Sequence, residues 1–326
     1  MHRRESPPRC WLTSSSTTCP RCSAMFASWP APRTTGSELA VQTLDYLFGP
    51  YATMQPAAAA ALAVALLCGI LSPLVVLRRM AFVGQGISHA AFGGVGVAAV
   101  LGLFAAGAGT GALLGAWGVV AVFCIAAGLS IGMLSRRQGI PEDTAIGVLL
   151  VASMALGFLL LQMQRGRAGS TSVSVEGFLF GQVATIGPLE AWLAWVVLAV
   201  ALAALWWIRR PLLFWAFDEP MAESLGIQGG RIRAALMVIL AVTVVVTMQL
   251  AGVILATAMI VLPGAAALQV ARRTSTVLLA SLAFGVAGVV VGLVMSFETD
   301  WQPGPNIALA YVALFGLARI WNALRR

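Results

Sequence analysis

Residues 56–77 read PAAAAALAVALLCGILSPLVVL, a stretch with no charge, and Arg78-Arg79 follow at once. An apolar run of about 18 or more residues is long enough to cross the hydrocarbon core of a bilayer. Outward from this run the pattern repeats at 88–106, 112–134, 144–163, 188–208, 234–250, 252–270, 276–296 and 306–324. The fold class is therefore an all-α polytopic membrane protein with about 8–9 transmembrane helices. The weakest boundary lies between 234–250 and 252–270, where Gln249, Gly252 and later Pro263 interrupt the run. This predicts two spans, or one span plus broken or re-entrant helices, an arrangement tolerated where protein or a cavity surrounds the freed backbone.

Composition agrees with this reading. Of 326 residues, 60% are hydrophobic and 10% charged, whereas a soluble domain carries about 25% charged residues. The net charge of +8 does not indicate nucleic acid, because no basic patch with interleaved aromatics occurs. The arginines instead cluster where apolar runs end: Arg78 and Arg79, Arg136 and Arg137, Arg209 to Arg233, Arg272 and Arg273, Arg325 and Arg326. With nine spans all of these fall on one side, the cytoplasm by the positive-inside rule. The C-terminus is then cytoplasmic, while Glu298 and Asp300 lie outside; Arg165 and Arg167 are exceptions to the rule. Residues 1–43 are rich in Ser, Thr, Pro and Arg and hold no signal-peptide core. They read as a disordered or non-native extension. Cys19 and Cys22 have a CxxC spacing there, but no second pair completes a zinc site. The transmembrane domain is 44–326.

Ionisable groups inside a membrane are costly and point to function. Past residue 43 the only histidine is His89. On a helix, Gln85 lies one turn before it on the same face, with Ser88 beside them. An imidazole nitrogen and an amide oxygen are thus offered to one ligand, and neutral imidazole suits zinc, iron and other transition ions. The competing reading is an interhelical hydrogen-bonding histidine. Gly86, Ala90 and Gly94 form a small-residue face that permits close helix packing in lipid. That packing predicts that the helix sits within the bundle, at the axis between two copies.

No phosphate-binding GK[ST] loop and no Ser/His/Asp or Cys/His set occurs. The chain reads as a non-enzyme, so any ATP hydrolysis belongs to another chain. Paired carboxylates sit only at span ends: Glu142–Asp143, Asp218–Glu219 and Glu298/Asp300. Between spans, Asp218 can cap a short helix with Pro220 in its first turn, and Gly226 can end it. Met221, Leu225 and Ile227 would be exposed. The segment is either a membrane-surface helix or a docking helix for a cytoplasmic partner.

Three blocks carry a family resemblance: LRRMAFVGQGISHA at 77–90, FDEPMAESLG at 217–226 and GVILATAMIVLPGAAA at 252–267. They resemble the LRRM…GD…SHA, D-P-x-x-A-x-x-x-G and GxLL…LLxxPAAxA blocks of the zinc/manganese-type metal permeases of bacterial ABC importers. Weaker matches at 141–147, 178–182 and 303–305 extend the likeness along 44–326. The resemblance implies a permease in the bacterial inner membrane that pairs with a second permease subunit around a pore. It also implies two cytoplasmic ATP-binding subunits, docked on a coupling helix that includes Asp218, Met221, Ala222, Leu225 and Gly226, and an extracytoplasmic metal-binding protein. The cargo would be a divalent ion, Zn²⁺, Mn²⁺ or Fe²⁺, with no stably bound cofactor. His89 matches the family's pore histidine. The family's aspartate four residues earlier is Gln85 here, and the one after its LFG is Gln182. Loss of two carboxylates disfavours a hard ion such as Mn²⁺ and favours Zn²⁺. Two alternatives are an iron-chelate or cobalamin-type ABC permease and an ion-coupled secondary carrier. The secondary carrier would show midplane carboxylates and an inverted repeat. Neither is present.

Overall fold

The first apolar run forms α1 (Gln55–Leu77), which closes on its own arginines. Arg79 takes a left-handed conformation, φ 56°. This lets Met80 N–H reach back to the Val75 carbonyl at 2.9 Å and Arg79 N–H to that of Val76 at 3.1 Å. These two bonds form a Schellman cap, with Met80 and Val75 both buried as its apolar contact. The chain then reverses directly into α2 (Ala81–Val100).

The computed structural model describes residues 55–104, 110–138, 141–165, 181, 186–226, 228–299 and 301–325. The proposed extension 1–43, Arg167, Gln182 and Ile227 lie outside the described residues. The remaining helices are α3 (Thr110–Gln138), α4 (Glu142–Arg165), α5 (Pro188–Phe217), the short α6 (Glu219–Ser224), α7 (Gly229–Val270), α8 (Thr274–Thr299) and α9 (Pro303–Leu324). Eight of them are long and apolar enough to cross a membrane.

α7 resolves the ambiguous pair of runs. It has 42 residues, and a straight helix of that length would measure about 63 Å, twice the hydrocarbon core. Both its ends nevertheless lie at one end of the bundle. Near its start Arg233 pairs with Glu142, at the head of α4, at 2.6 Å. Near its finish Leu268 and Ala271 share a cleft with Leu77 of α1 and Arg209 of α5. The chain therefore folds back at Gly252, whose φ of 78° and ψ of 168° are not helical. Gly181, φ 75°, packs against that apex so closely that a Cβ would lie 2.4 Å from the Ala251 carbonyl carbon. Only glycine fits such a position. The two arms correspond to the runs 234–250 and 252–270, so eight helices make the nine passes read from the sequence.

α5 differs from expectation. The fifth run was expected to end near 208, but the helix continues through Pro211 to Phe217. Leu212, Trp215 and Ala216 are buried. Their packing extends the helix beyond a residue that lacks an N–H.

The core is organised by α1 and α7. Ser72 Oγ donates to the Val261 carbonyl at 3.1 Å and accepts the Gly264 N–H at 2.7 Å. Ser281 Oγ donates to the Gly69 carbonyl at 2.7 Å, and Tyr311 Oη to the Gly285 carbonyl at 2.6 Å. Each such bond satisfies a polar group that lipid could not. Small residues at these crossings let the backbones approach.

Candidate functional site

Small residues hold α2 on several sides. Gly86 meets Ile131 of α3 and Ile146 of α4, Gly93 meets Phe123 and the Ser153 backbone, Gly94 meets Val120, and Gly84 meets Ile260 of α7. Fourteen of the twenty α2 residues are buried. The face of Gly86, Ala90 and Gly94 is thus used inside the subunit against α3 and α4. Apolar neighbours within the chain satisfy this small-residue packing.

The half of α2 nearest Arg78 leaves one strip open. Phe82 is 59% exposed, Gln85 is exposed and His89 is half-buried. Spaced i, i+3 and i+7, they line one helix face. Neither Gln85 nor His89 has a hydrogen-bond partner among the described residues. Ser88 does not belong to the strip. It is buried, and its Oγ donates to the Gly84 carbonyl at 2.8 Å. Bonding back to one's own helix is the usual outcome for a serine without a cross-chain partner. Among the described residues no three His, Cys, Asp or Glu side chains converge. Among the described residues the strip therefore presents one imidazole and one amide.

The second predicted region, α6, lies at the same end of the bundle as the start of α2. Asp218 Oδ1 accepts the Met221 N–H at 3.0 Å and caps the helix as expected. Gly226, φ 78°, follows its end. Met221 and Leu225 are 57% and 60% exposed. Ala222 corrects the expectation: it is 1% exposed and packs into its own subunit. On a six-residue helix, one face must cover the core beneath it.

Sequence reading missed what holds α6. The Arg78 guanidinium hydrogen-bonds the Glu219 carboxylate and donates to the Trp215 carbonyl at 3.2 Å. It also stacks on the Trp215 ring, 3.7 Å from its centroid. Burial pushes the Glu219 carboxyl up, but the hydrogen bond and charge of Arg78 outweigh it and hold the group below its ordinary value. Arg78 thus ties the α1–α2 turn to α6. Its only signal in the sequence was position, an arginine at a span end.

Residues 50–322 match the family described as the ABC 3 transport family. The chain belongs to that family. It is 34% identical over 268 residues to the manganese transport system membrane protein MntC of Halalkalibacterium halodurans, covering 82% of this chain and 87% of that one. It is 29% identical over 279 residues to the chelated iron transport system membrane protein YfeD of Yersinia pestis, covering 84% and 87%. Among solved structures, PsaBC from Streptococcus pneumoniae in complex with Fab superposes with a TM-score of 0.73 at 26% identity, covering 88% of this chain and all of that one. A second solved structure, of an ABC transporter in an inward-facing conformation, shares the fold at a TM-score of 0.60 and 19% identity, covering 89% of this chain and 90% of that one.

Proposed function

We propose that this chain is the membrane-spanning permease subunit of an ABC importer that carries a divalent transition-metal ion into the cytoplasm. Family membership and the manganese and iron systems of its relatives support the class of cargo. The observation that carries the assignment within this molecule is the open Gln85–His89 strip on an otherwise enclosed helix. A second permease subunit facing that strip would complete the set with two imidazoles and two amide oxygens. Such neutral ligands bind an ion weakly enough to release it, as conduction requires. The ion is cargo, and no stably bound cofactor is needed.

Two cytoplasmic ATP-binding subunits would supply hydrolysis and press on Met221 and Leu225 of α6. An extracytoplasmic protein would deliver the ion. The end bearing Arg78, Arg209, Arg233 and Arg272 is then cytoplasmic and includes the C-terminus, in a bacterial inner membrane. A reporter fused after residue 222 should read inside and one at 170 outside.

The deciding experiment is uptake of radioactive Mn²⁺, Fe²⁺ and Zn²⁺ by cells that depend on this system. His89→Ala should lower uptake at least about tenfold to a hundredfold, the scale seen when metal-site groups are removed, with membrane levels and assembly unchanged. Wild-type uptake by His89→Ala would make His89 a packing residue and end this reading.

A further inference from the structure

A second opening lies at the arginine-bearing end, between α1, α5, the second arm of α7 and α8. It is a cleft of about 270 Å³ walled by Leu74, Leu77, Leu212, Phe217, Val277 and Leu278, and it also includes Arg209 and Arg272. Apolar cavities of about 150 Å³ already hold a benzene ring, so this one accommodates a longer hydrocarbon segment. Both arginines are exposed, and among the described residues neither is in an ion pair. Arg209 lies over the Trp206 ring, 3.8 Å from its centroid. Trp206 and Trp207 are 69% and 88% exposed. Tryptophans on a lipid-facing surface settle at the level of the headgroups, which places the two guanidinium groups there as well. Thr274, the first residue of α8, is also on the cleft, and helix N-termini favour anions.

The cleft therefore combines apolar walls at acyl-chain depth with two cations at headgroup depth that have no anionic partner among the described residues. A wholly apolar occupant would leave the cations unanswered, and a free phosphate would leave the walls uncovered. We propose that the cleft binds an anionic phospholipid, its phosphate between Arg209 and Arg272 and one acyl chain along Leu74, Leu212 and Leu278. Basic pockets between transmembrane helices suit such headgroups. The site does not depend on the metal reading and would stand if that reading failed.

The test is native mass spectrometry of the full chain in detergent with equimolar phosphatidylglycerol and phosphatidylethanolamine. The wild type should retain phosphatidylglycerol roughly thirtyfold over phosphatidylethanolamine, as two cations at a lipid surface predict. Arg209→Gln with Arg272→Gln should erase the preference, while Arg209→Lys with Arg272→Lys should keep most of it and report on folding. Leu278→Trp fills the cleft with both arginines intact and should cut phosphatidylglycerol retention at least about fivefold, the loss of a seated hydrocarbon segment. Equal retention of both lipids by the wild type would overturn the site, as would a preference surviving in the Gln pair. Full retention by Leu278→Trp would reduce the arginines to bare surface charges. Efficient cross-linking of two copies through Leu213→Cys would show that the cleft is closed by protein instead.

Discussion

α1 and α2 are consecutive in the chain, joined by a turn at Arg78–Met80, and both are largely buried, yet they treat their polar groups in opposite ways. Ser72 of α1 is held by α7 from two directions, Cys68 contacts Thr247 at 3.6 Å, and Arg78 beyond the helix is committed to Trp215 and Glu219. In α2, Ser88 turns back on its own helix and the Gln85–His89 strip finds no polar partner among the described residues. Water and lipid explain the difference. A polar group at membrane depth must be satisfied within the protein or face a cavity or partner. Groups satisfied within the chain belong to its scaffold; under the function proposed above, those left open at a common face would meet the ion and the second subunit.

The comparison breaks most sharply at Gly264. A Cβ there would lie 2.5 Å from the Ser72 carbonyl carbon and 2.6 Å from Ser72 Oγ. The clash is with backbone and cannot be relieved by a rotamer change. Gly264→Ala should destabilise the chain by about 3 kcal/mol, the upper range for overpacking, seen as a fall in thermal midpoint and in monodisperse yield. If stability is unchanged, α1 is not the fixed scaffold described.

On the α2 side, Gln85→Asp restores the carboxylate of the resembling family without adding bulk. It should leave the thermal midpoint within about 0.5 kcal/mol, as exposed substitutions do. Competition uptake should shift toward Mn²⁺ over Zn²⁺ by about fivefold, since carboxylate oxygen suits the harder ion. A large stability change with no shift in preference would place Gln85 with the scaffold.

Smaller still is the acid response of the α1–α6 tie. The folded-state pKa of Glu219 lies below its ordinary value of 4.5. Its contribution is therefore fully present above about pH 4.5 and is lost as pH falls through the lower folded value. Because the side chain is 41% exposed, the effect should stay under about 1 kcal/mol. Comparing melts at pH 7 and pH 4, Glu219→Gln should show a shallower acid loss than the wild type. Identical slopes would dissociate Glu219 from the tie.

Arg79 gives an effect of comparable size, and its sign is opposite. A left-handed arginine costs about 1 kcal/mol relative to glycine. Arg79→Gly should therefore raise stability by up to about that amount in a denaturant or thermal melt. A loss instead would mean that the Arg79 side chain contributes more than its backbone costs.

Much of this architecture was legible in the sequence, because hydrocarbon imposes a length and a composition on whatever crosses it. Nine apolar runs, the arginine clusters that close several of them, the Asp218 cap of α6 and the break near Gly252 all follow from the identity of single residues. The candidacy of His89 and Gln85 rests on the same ground, since ionisable and amide groups are rare in such runs. What only the tertiary structure decided was direction. In a helix apolar on every side, lipid and protein neighbours are equally apolar, and the sequence holds no moment to say which face is buried. Hence the Gly86–Gly94 face turned out to lie against the chain itself, Ser88 left the strip, α5 continued past Pro211, and the two arms of α7 returned to one end; on the short polar α6, Ala222 was turned inward by the core beneath it. The return of α7 and the packing of α2 were settled by contacts between residues distant in the chain, such as Arg233 with Glu142 or Gly86 with Ile146, for which no local pattern exists.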